Sequence, residues 1–218
     1  MSLCHVLMDD DGATILDAGL PCDRWLVFRA LRKLNIEPRS VRALILTHGH
    51  LDHAGNLAAL KAWCGAPIYA HPAEQAHIDG TYPYAGTARW CGRLERTGRG
   101  LFGYQPASID VHLSDGDVLP FWGGLEVVHL PGHTLGHCGF YSKKHRLLFS
   151  ADLFASYWFK VHLPPTILNS TPELIPASLA RAASIDATGF LPNHYDFRNA
   201  ALHRERFRKL YSRLSHST

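Results

Sequence analysis

Residues 47–56 read Thr-His-Gly-His-Leu-Asp-His-Ala-Gly-Asn and contain a His-x-His-x-Asp-His cluster. Three imidazoles and one carboxylate fall within six positions, directly after the apolar segment 41–46. Together these side chains suit zinc, iron or manganese. Positions 48, 50, 52 and 53 do not share one face of a helix, so we expect a loop at the tip of a buried strand. The candidate ligands there are His48, His50, Asp52 and His53.

One loop cannot complete the coordination of a metal ion, so further ligands must come from elsewhere in the chain. Three more candidates stand where strand-like apolar segments stop, namely His133, Asp152 and His194. Parallel strands bring their carboxyl ends to one edge of an open α/β sheet, which is where such sheets place their ligands. The sequence therefore predicts that these residues meet at one sheet edge.

At this point the chain resembles the metallo-β-lactamase superfamily. The matching segments, in order, are His48-x-His50-x-Asp52-His53, His133 in Pro-Gly-His-Thr, Asp152 in Ser-Ala-Asp, and His194. Asp17, in Thr-Ile-Leu-Asp-Ala-Gly, matches the first motif of the family, which is not a ligand. The resemblance implies an α/β fold of the αββα sandwich type, with two mixed sheets flanked by helices. It also implies a single domain over residues 1–218, with a lid or insertion at 80–108.

Position by position, the resemblance implies a binuclear metal centre. The first ion would be held by His48, His50 and His133, the second by Asp52, His53 and His194, and Asp152 would bridge the two. Zinc is the expected metal, with iron or manganese as alternatives. Such a centre cleaves an ester, thioester, lactone or phosphoester with metal-bound hydroxide, and Asp52 would orient that hydroxide as the catalytic residue.

Departures from individual branches of the family narrow the expected substrate. Asp152 stands where β-lactamases with a cysteine ligand carry that cysteine, which disfavours a β-lactam. His50 stands where the flavin-linked diiron reductases carry Glu. The ligands match the glyoxalase II branch better, although that branch adds a C-terminal helical region, and only 24 residues (218 − 194) follow His194 here. Lactonases place a Tyr near the bridging Asp, and Tyr157 lies nearby at a different spacing.

Two rival activities stay open. Some relatives of the glyoxalase branch oxidise sulfane sulfur with one iron, and His48, His133 and Asp152 could form the required facial triad. A nuclease of the same superfamily is the second rival, and only residues 80–108 could then serve as its RNA-gripping arm. A binding module without activity would leave the full ligand set without a use.

Two segments are expected to set the substrate. Residues 80–108 carry several aromatic residues and Arg89, Arg93, Arg96 and Arg99 at helical spacing. They form either a lid or dimer contact whose arginines meet an anionic group, or a solvated helix face. The segment 153–165 follows Asp152, and its side chains either wall the substrate pocket or pack in the core. The relevant residues there are Tyr157, Trp158, Phe159 and Lys160.

Composition limits the remaining possibilities. With 218 residues, 46% hydrophobic and 19% charged, the chain fits a soluble globular protein, and a net charge of +3 is too small to indicate nucleic acid. Its five scattered cysteines predict reduced thiols in a cytosol. Residues 1–8 lack the features of a secretory signal, so we expect a cytoplasmic protein without membrane contact. It would act on a small molecule, with a homodimer left open. Among the other histidines, His137 could reach the rim of the site.

Hydrophobic periodicity and turn signals predict alternating strands and helices. Strands are predicted at 4–8, 13–17, 67–70, 111–119, 125–130, 138–142, 146–150 and 189–191, with hairpins joining the first two and the pair 138–142 and 146–150. Helices are predicted at 23–35, 55–64, 72–79, 172–185 and 199–214. In the first helix, Asp23 is the predicted N-cap, and Trp25, Phe28, Leu31 and Leu34 form its predicted apolar face.

Overall fold

A computed structural model describes residues 3–157, 160–196 and 199–215 of the chain. Two compact units account for the fold, Met1–Leu113 and Ser114–Thr218. Each unit has its own five-stranded sheet and its own hydrophobic core. The expectation of one domain over the whole chain stays a prediction.

In the first unit, a mixed sheet presents the segment with the HxHxDH motif at the end of its central strand. Its strands, in spatial order, are β1 (His5–Asp9), β2 (Gly12–Leu16), β3 (Val41–Ile45), β4 (Ile68–Ala70) and β5 (Val111–His112). The predicted hairpin is confirmed, because β1 and β2 pair antiparallel. From β2 to β5 each neighbouring pair is parallel. The carboxyl end of β3 therefore has a parallel strand on either side.

In the described part of this unit, five α-helices accompany the sheet: α1 (Arg24–Lys33), α2 (Leu51–Ala54), α3 (Leu57–Cys64), α4 (Gln75–Asp79) and α5 (Arg89–Leu101). The predicted inner face of α1 is wrong in part. Val27 and Leu31 are the buried positions, whereas Trp25 and Leu34 are 60% and 56% exposed. Phe28 is partly buried and packs edge-to-face on Trp63 at 5.6 Å, so the inner face of α1 consists of Val27, Phe28 and Leu31. Asp23 does occupy the N-cap position, but its side chain makes no capping hydrogen bond.

The second unit contains a small two-stranded sheet beside its main one. The main sheet contains β6 (Val118–Leu119), β7 (Leu125–His129), β8 (Cys138–Ser142) and β9 (Leu147–Ala151). The small sheet consists of β10 (Ala155–Tyr157) and β11 (Lys160–His162), and β12 (Gly189–Pro192) then joins the main sheet beside β9. Helices α6 (Ile175–Ser184) and α7 (Ala200–Ser215) complete the unit, close to their predicted bounds.

The predicted strand 111–119 is wrong, because it is two strands in two sheets. β5 pairs with β4, and β6 pairs with β7. A turn separates them, in which Ser114 donates its backbone N–H to Asp117 Oδ2 at 2.7 Å. Gly116 has a φ of +82°, in the left-handed region that glycine adopts without strain. An aspartate bonding a nearby backbone N–H is a strong turn former, and it outweighs the apolar pattern around it.

Strand direction explains how the second unit presents its candidate ligands. β7 and β9 each pair antiparallel with β8, so they run in the same direction as each other. β12 is parallel to β9. The three strands that precede His133, Asp152 and His194 therefore end at the same edge, although β8 runs the opposite way between two of them. The expectation of parallel strands holds for the ligand-bearing strands and fails for the sheet as a whole.

The predicted α/β fold with two main mixed sheets and flanking helices is confirmed. Within the described ranges, no helix combines the length and the apolar character needed to cross a bilayer.

Candidate metal centre

The HxHxDH motif is half loop and half helix in the structure. β3 ends at Ile45, and His48 and His50 lie in the loop that follows, with His50 at the N-cap of α2. Asp52 and His53 lie on the first turn of α2, which corrects the expectation that the whole motif is a loop. We call residues 47–53 the ligand segment.

The four candidate ligands of the ligand segment lie close together. The ring centroid of His48 is 4.9 Å from that of His50 and 3.9 Å from that of His53. His53 Nε2 is 3.7 Å from Asp52 Oδ2. All three histidines are buried, while Asp52 is partly exposed. This part of the predicted site is thus assembled within one unit.

Asp17 orients two of these histidines. Its carboxylate accepts the backbone N–H of Thr47 at 2.9 Å, the Thr47 hydroxyl at 2.9 Å and His53 Nδ1 at 2.9 Å. The Thr47 hydroxyl gives its proton to Asp17, so it can only accept from His48 Nδ1, which is 3.1 Å away. Both imidazoles therefore carry their lone pair on Nε2, the form needed to bind a metal. Asp17 itself has a φ of +62°, a conformation that aspartate tolerates better than most residues.

Two further buried carboxylates hold the backbone of the ligand segment. Glu74 Oε2 accepts the N–H of Gly49 at 2.6 Å, and Glu95 Oε1 accepts the N–H of Leu51 at 2.9 Å. Both glutamates are buried. Asp17 accepts the backbone N–H of Thr47 in the same way. Three acidic side chains therefore accept the backbone N–H groups of alternate residues, 47, 49 and 51. No sequence motif indicated Glu74 or Glu95 as part of the site.

Position 49 requires glycine because the ligand segment packs closely on the neighbouring turn. A Cβ at Gly49 would lie 2.6 Å from the Cβ of His77. His77 is fully buried, and its ring centroid is 5.4 Å from that of His50.

Helix α5, from the segment 80–108, supports the ligand segment from behind His50. Cys91 Sγ is 4.0 Å from His50 Nε2, and the Tyr84 hydroxyl donates to Glu95 Oε2 at 2.7 Å. His77 Nδ1 lies 3.0 Å from the same hydroxyl, which can accept its proton. The donor atoms of His50, Cys91 and Glu95 lie within 4.8 Å of one another. Because both oxygens of Glu95 already accept hydrogen bonds, we assign this group to the support of the segment.

Burial also raises the pKa values of the acidic side chains around Glu95. It raises the pKa of the Cys91 thiol to about 12, with a further contribution from the charge of Glu95. The pKa of Tyr84 is raised by burial and by Glu95, and burial likewise raises the pKa of Glu95. The thiol and the phenol therefore stay neutral at physiological pH, and both act as hydrogen-bonding and packing groups.

In the second unit, His133, Asp152 and His194 follow β7, β9 and β12. Asp152 Oδ2 is 3.1 Å from His194 Nε2 and 3.5 Å from His133 Nε2. His133 Nδ1 donates to Asn169 Oδ1 at 2.9 Å, which leaves its lone pair on Nε2, facing the carboxylate. Ligand atoms around one tetrahedral zinc are about 3.4 Å apart, given bonds of about 2.0–2.1 Å. The donors of this unit therefore fit a divalent cation in both chemistry and spacing.

His137 lies beneath Asp152 instead of at a rim. Its side chain is fully buried; Nδ1 donates to the carbonyl of Leu130 at 2.9 Å, and Nε2 accepts the backbone N–H of Asp152 at 3.2 Å. Asn169 was not indicated by any motif, because it lies 36 residues from the histidine it orients.

A small cavity of about 190 Å³ adjoins Asp152 and His194. Its other walls are mostly apolar: Phe154, Ala155, Tyr157, His162, Pro164, Pro165 and Leu168. The segment 153–165 therefore does line a pocket, as one of its two interpretations held. Trp158 and Phe159, also predicted for this wall, lie outside the described residues.

Comparison with known proteins agrees with these features. The family model of the metallo-beta-lactamase superfamily matches residues 1–204. Hydroxyacylglutathione hydrolase GloC of Haemophilus influenzae is 30% identical over 158 residues, covering 69% of this chain and 65% of that protein. A probable metallo-hydrolase, YflN of Bacillus subtilis, is 25% identical over 197 residues, covering 83% and 74%. Including a relative from Aquifex aeolicus, the chain spans 64% to 74% of the length of these curated relatives.

Solved structures give the same fold. The metallo-beta-lactamase family protein TTHA1429 of Thermus thermophilus has a TM-score of 0.76 at 24% identity, covering 98% of this chain and 74% of that one. TTHA1623, solved in a di-iron-bound form, has a TM-score of 0.67 at 23% identity, covering 94% and 95%. The chain belongs to the metallo-β-lactamase superfamily. Membership implies divalent metal ions as cofactors, for which both units carry His and Asp donors.

Asp17→Asn should weaken metal binding about 10- to 100-fold, the usual range for losing a carboxylate partner of a ligating histidine. The amide can turn its NH₂ toward His53 Nδ1 and favour the tautomer with the lone pair on the wrong nitrogen. Competition for zinc against a chromophoric chelator measures the change. Asp11→Asn, at an exposed ion pair with Arg42, is the control and should keep the wild-type affinity. Equal affinity in both variants would refute the orienting role of Asp17.

Glu95→Ala should lower the free energy of unfolding by about 1–3 kcal/mol, because it leaves the Leu51 N–H and the Tyr84 hydroxyl without their acceptor. Glu95→Gln keeps an acceptor oxygen and should lose less. Urea unfolding of both variants gives the values, with Glu37→Ala as an exposed glutamate control. If the alanine variant is as stable as wild type, Glu95 does not hold the ligand segment.

Proposed function

We propose that this protein is a metal-dependent hydrolase of ester-type bonds with a binuclear centre. Following the ligand order of the superfamily, one ion would be held by His48, His50 and His133, and the other by Asp52, His53 and His194. Asp152 would be shared by the two ions. The observation that carries the proposal is the fixed orientation of the donors. Asp17, Thr47 and Asn169 take the Nδ1 protons of three of the histidines, and their Nε2 atoms are left as ligands. Such partners raise the basicity of a ligating imidazole and fix its direction.

Divalent ions at such a centre supply Lewis acidity, which polarises the scissile carbonyl or phosphoryl group and lowers the pKa of water. The side chains of the protein hold and orient the reacting groups. Asp52 is the only partly exposed carboxylate among the donors, so it is our candidate to orient the attacking water. Its side chain is 31% exposed, while that of Asp152 is 7% exposed. Zinc is the metal we propose, with iron and manganese as the alternatives that the same donors accept.

The apolar cavity beside Asp152 and His194 supports a substrate with a small acyl part. Its volume of about 190 Å³ is below the range of about 300–1,000 Å³ that is usual for drug-sized ligands. A relative that is named a hydroxyacylglutathione hydrolase acts, by its name, on an acyl thioester. We therefore place short-chain acyl thioesters and esters first among the candidate substrates, ahead of lactones and phosphoesters.

The first experiment is metal content per chain, on protein purified without added metal or chelator, followed by turnover of a panel of esters, thioesters, lactones and phosphodiesters. Two zinc or manganese ions and hydrolysis of one panel member are expected. His48→Ala and Asp52→Ala should abolish that turnover, and His112→Ala, an exposed histidine, should leave it unchanged. Unchanged turnover in both ligand variants would refute the mechanism.

Two other outcomes would replace the proposal with a rival. One iron per chain, together with oxygen uptake in the presence of a persulfide, identifies a sulfur dioxygenase. Salt-dependent RNA binding with cleavage identifies a nuclease.

Leu168→Trp should fill the apolar cavity and shift the preference toward shorter acyl chains, because Leu168 lines it. KM for longer acyl groups should rise while metal content stays at the wild-type value. Ile167→Trp is the matched control, since Ile167 is 40% exposed on the same turn and is not a lining residue. If both variants keep the wild-type chain-length preference, the cavity does not hold the acyl group.

A further inference from the structure

A second cleft lies in the first unit, between residues 79–84 and helix α5, with a volume of about 510 Å³. That volume is within the usual range of small-molecule sites. One wall carries all four arginines of the helix: Arg89, Arg93, Arg96 and Arg99. Tyr82 and Tyr84 line the cleft as well.

The four arginines differ in what already binds them. Arg99 donates to the carbonyls of His77 and Ile78 at 2.6 and 2.9 Å, so its guanidinium is used by the fold. Arg89 donates one N–H to the carbonyl of Gly86 at 3.2 Å. Arg93 stacks over the Trp90 ring at 4.9 Å. Within the described residues, neither Arg93 nor Arg96 has a carboxylate within ion-pair distance.

The carboxylates that line the cleft do not balance these arginines. Asp79 accepts a hydrogen bond from Gln75 Nε2 at 2.9 Å. Glu95 is buried, its two oxygens accept from Leu51 and Tyr84, and its Oε2 lies 3.6 Å from Arg99 Nη2, so it pairs with Arg99 and not with Arg93 or Arg96. Four arginines and two carboxylates therefore leave a net positive cleft, with the uncompensated guanidinium groups on the accessible side of α5.

We propose that this cleft binds the oxyanion end of a small ligand, a phosphate or a carboxylate. The planar guanidinium group matches both anions with paired, charge-assisted hydrogen bonds. Arg93 and Arg96 are three positions apart on one helix, so their side chains can reach the same group. Gly92 keeps the cleft compact, because a Cβ there would lie 2.5 Å from the Tyr84 ring. The site goes beyond the proposed hydrolase activity and does not depend on it.

The location of the cleft ties it to the ligand segment. Tyr84 and Glu95 belong to the wall of the cleft and also to the hydrogen bonds that hold Leu51. The cleft therefore shares two of its wall residues with the support of the ligand segment.

The test is equilibrium binding of inorganic pyrophosphate by calorimetry, on the full chain after chelation and again after zinc loading. We expect binding to the chelated protein that weakens as salt rises. Arg93→Gln combined with Arg96→Gln should weaken it about tenfold or more. The matching lysine pair should lose less, because it keeps the charge and loses the paired geometry. Arg24→Gln combined with Arg32→Gln, two exposed arginines of α1, is the control and should bind as wild type does.

Three results would overturn the proposal. They are no binding to the chelated protein, equal affinity in the α5 and α1 glutamine pairs, or binding that appears only with zinc and is lost in His48→Ala. The last result would place the anion at the metal centre. Since no turnover is measured, a failure of this cleft is distinct from a failure of the hydrolase proposal.

Discussion

The ligand segment depends on three buried carboxylates, each of which accepts one backbone N–H. Asp17, Glu74 and Glu95 bind the N–H groups of residues 47, 49 and 51. Burying an acid without partners is costly, so these hydrogen bonds are what make the arrangement possible. The same negative charges favour a cation nearby. One set of contacts therefore fixes the shape of the segment and prepares its electrostatics for a divalent ion.

The three supporting bonds alternate with two of the candidate ligands along the chain. The acids hold the N–H groups of residues 47, 49 and 51, and His48 and His50 lie between them. His50 itself is extended, with φ of −64° and ψ of 153°. In the second unit, neutral side chains hold the candidate ligands in place by hydrogen bonds. His137 accepts the backbone N–H of Asp152, and Asn169 orients the ring of His133.

Features that a short stretch of sequence determines were predicted well, and features that depend on distant partners were not. The β1–β2 hairpin and the β8–β9 pair follow from local alternation and turn residues. The ligand set rests on the order of the motifs along the chain and stays a prediction. Glu74 and Glu95 escaped prediction because they act on backbone groups 25 and 44 residues away and belong to a residue type that is usually exposed. The segment 111–119, wrongly predicted as one strand, does have the alternating apolar pattern of a strand. Its division between two sheets depended on one aspartate turn.

The segment 80–108, for which the sequence left a lid or dimer contact and a solvated helix face as alternatives, contains a helix with one face on the ligand segment and the other exposed. Cys91 and Glu95 face the ligand segment, whereas Arg93 and Arg96 are exposed. Gly98 lets Leu51 approach, since a Cβ there would lie 2.8 Å from the Leu51 side chain. Moving α5 away as a lid would break the hydrogen bonds of Glu95 to Leu51 and Tyr84 and separate Gly98 from the Leu51 side chain. Because these contacts tie α5 to the ligand segment, α5 is better understood as a fixed support for the metal ligands than as a mobile cover.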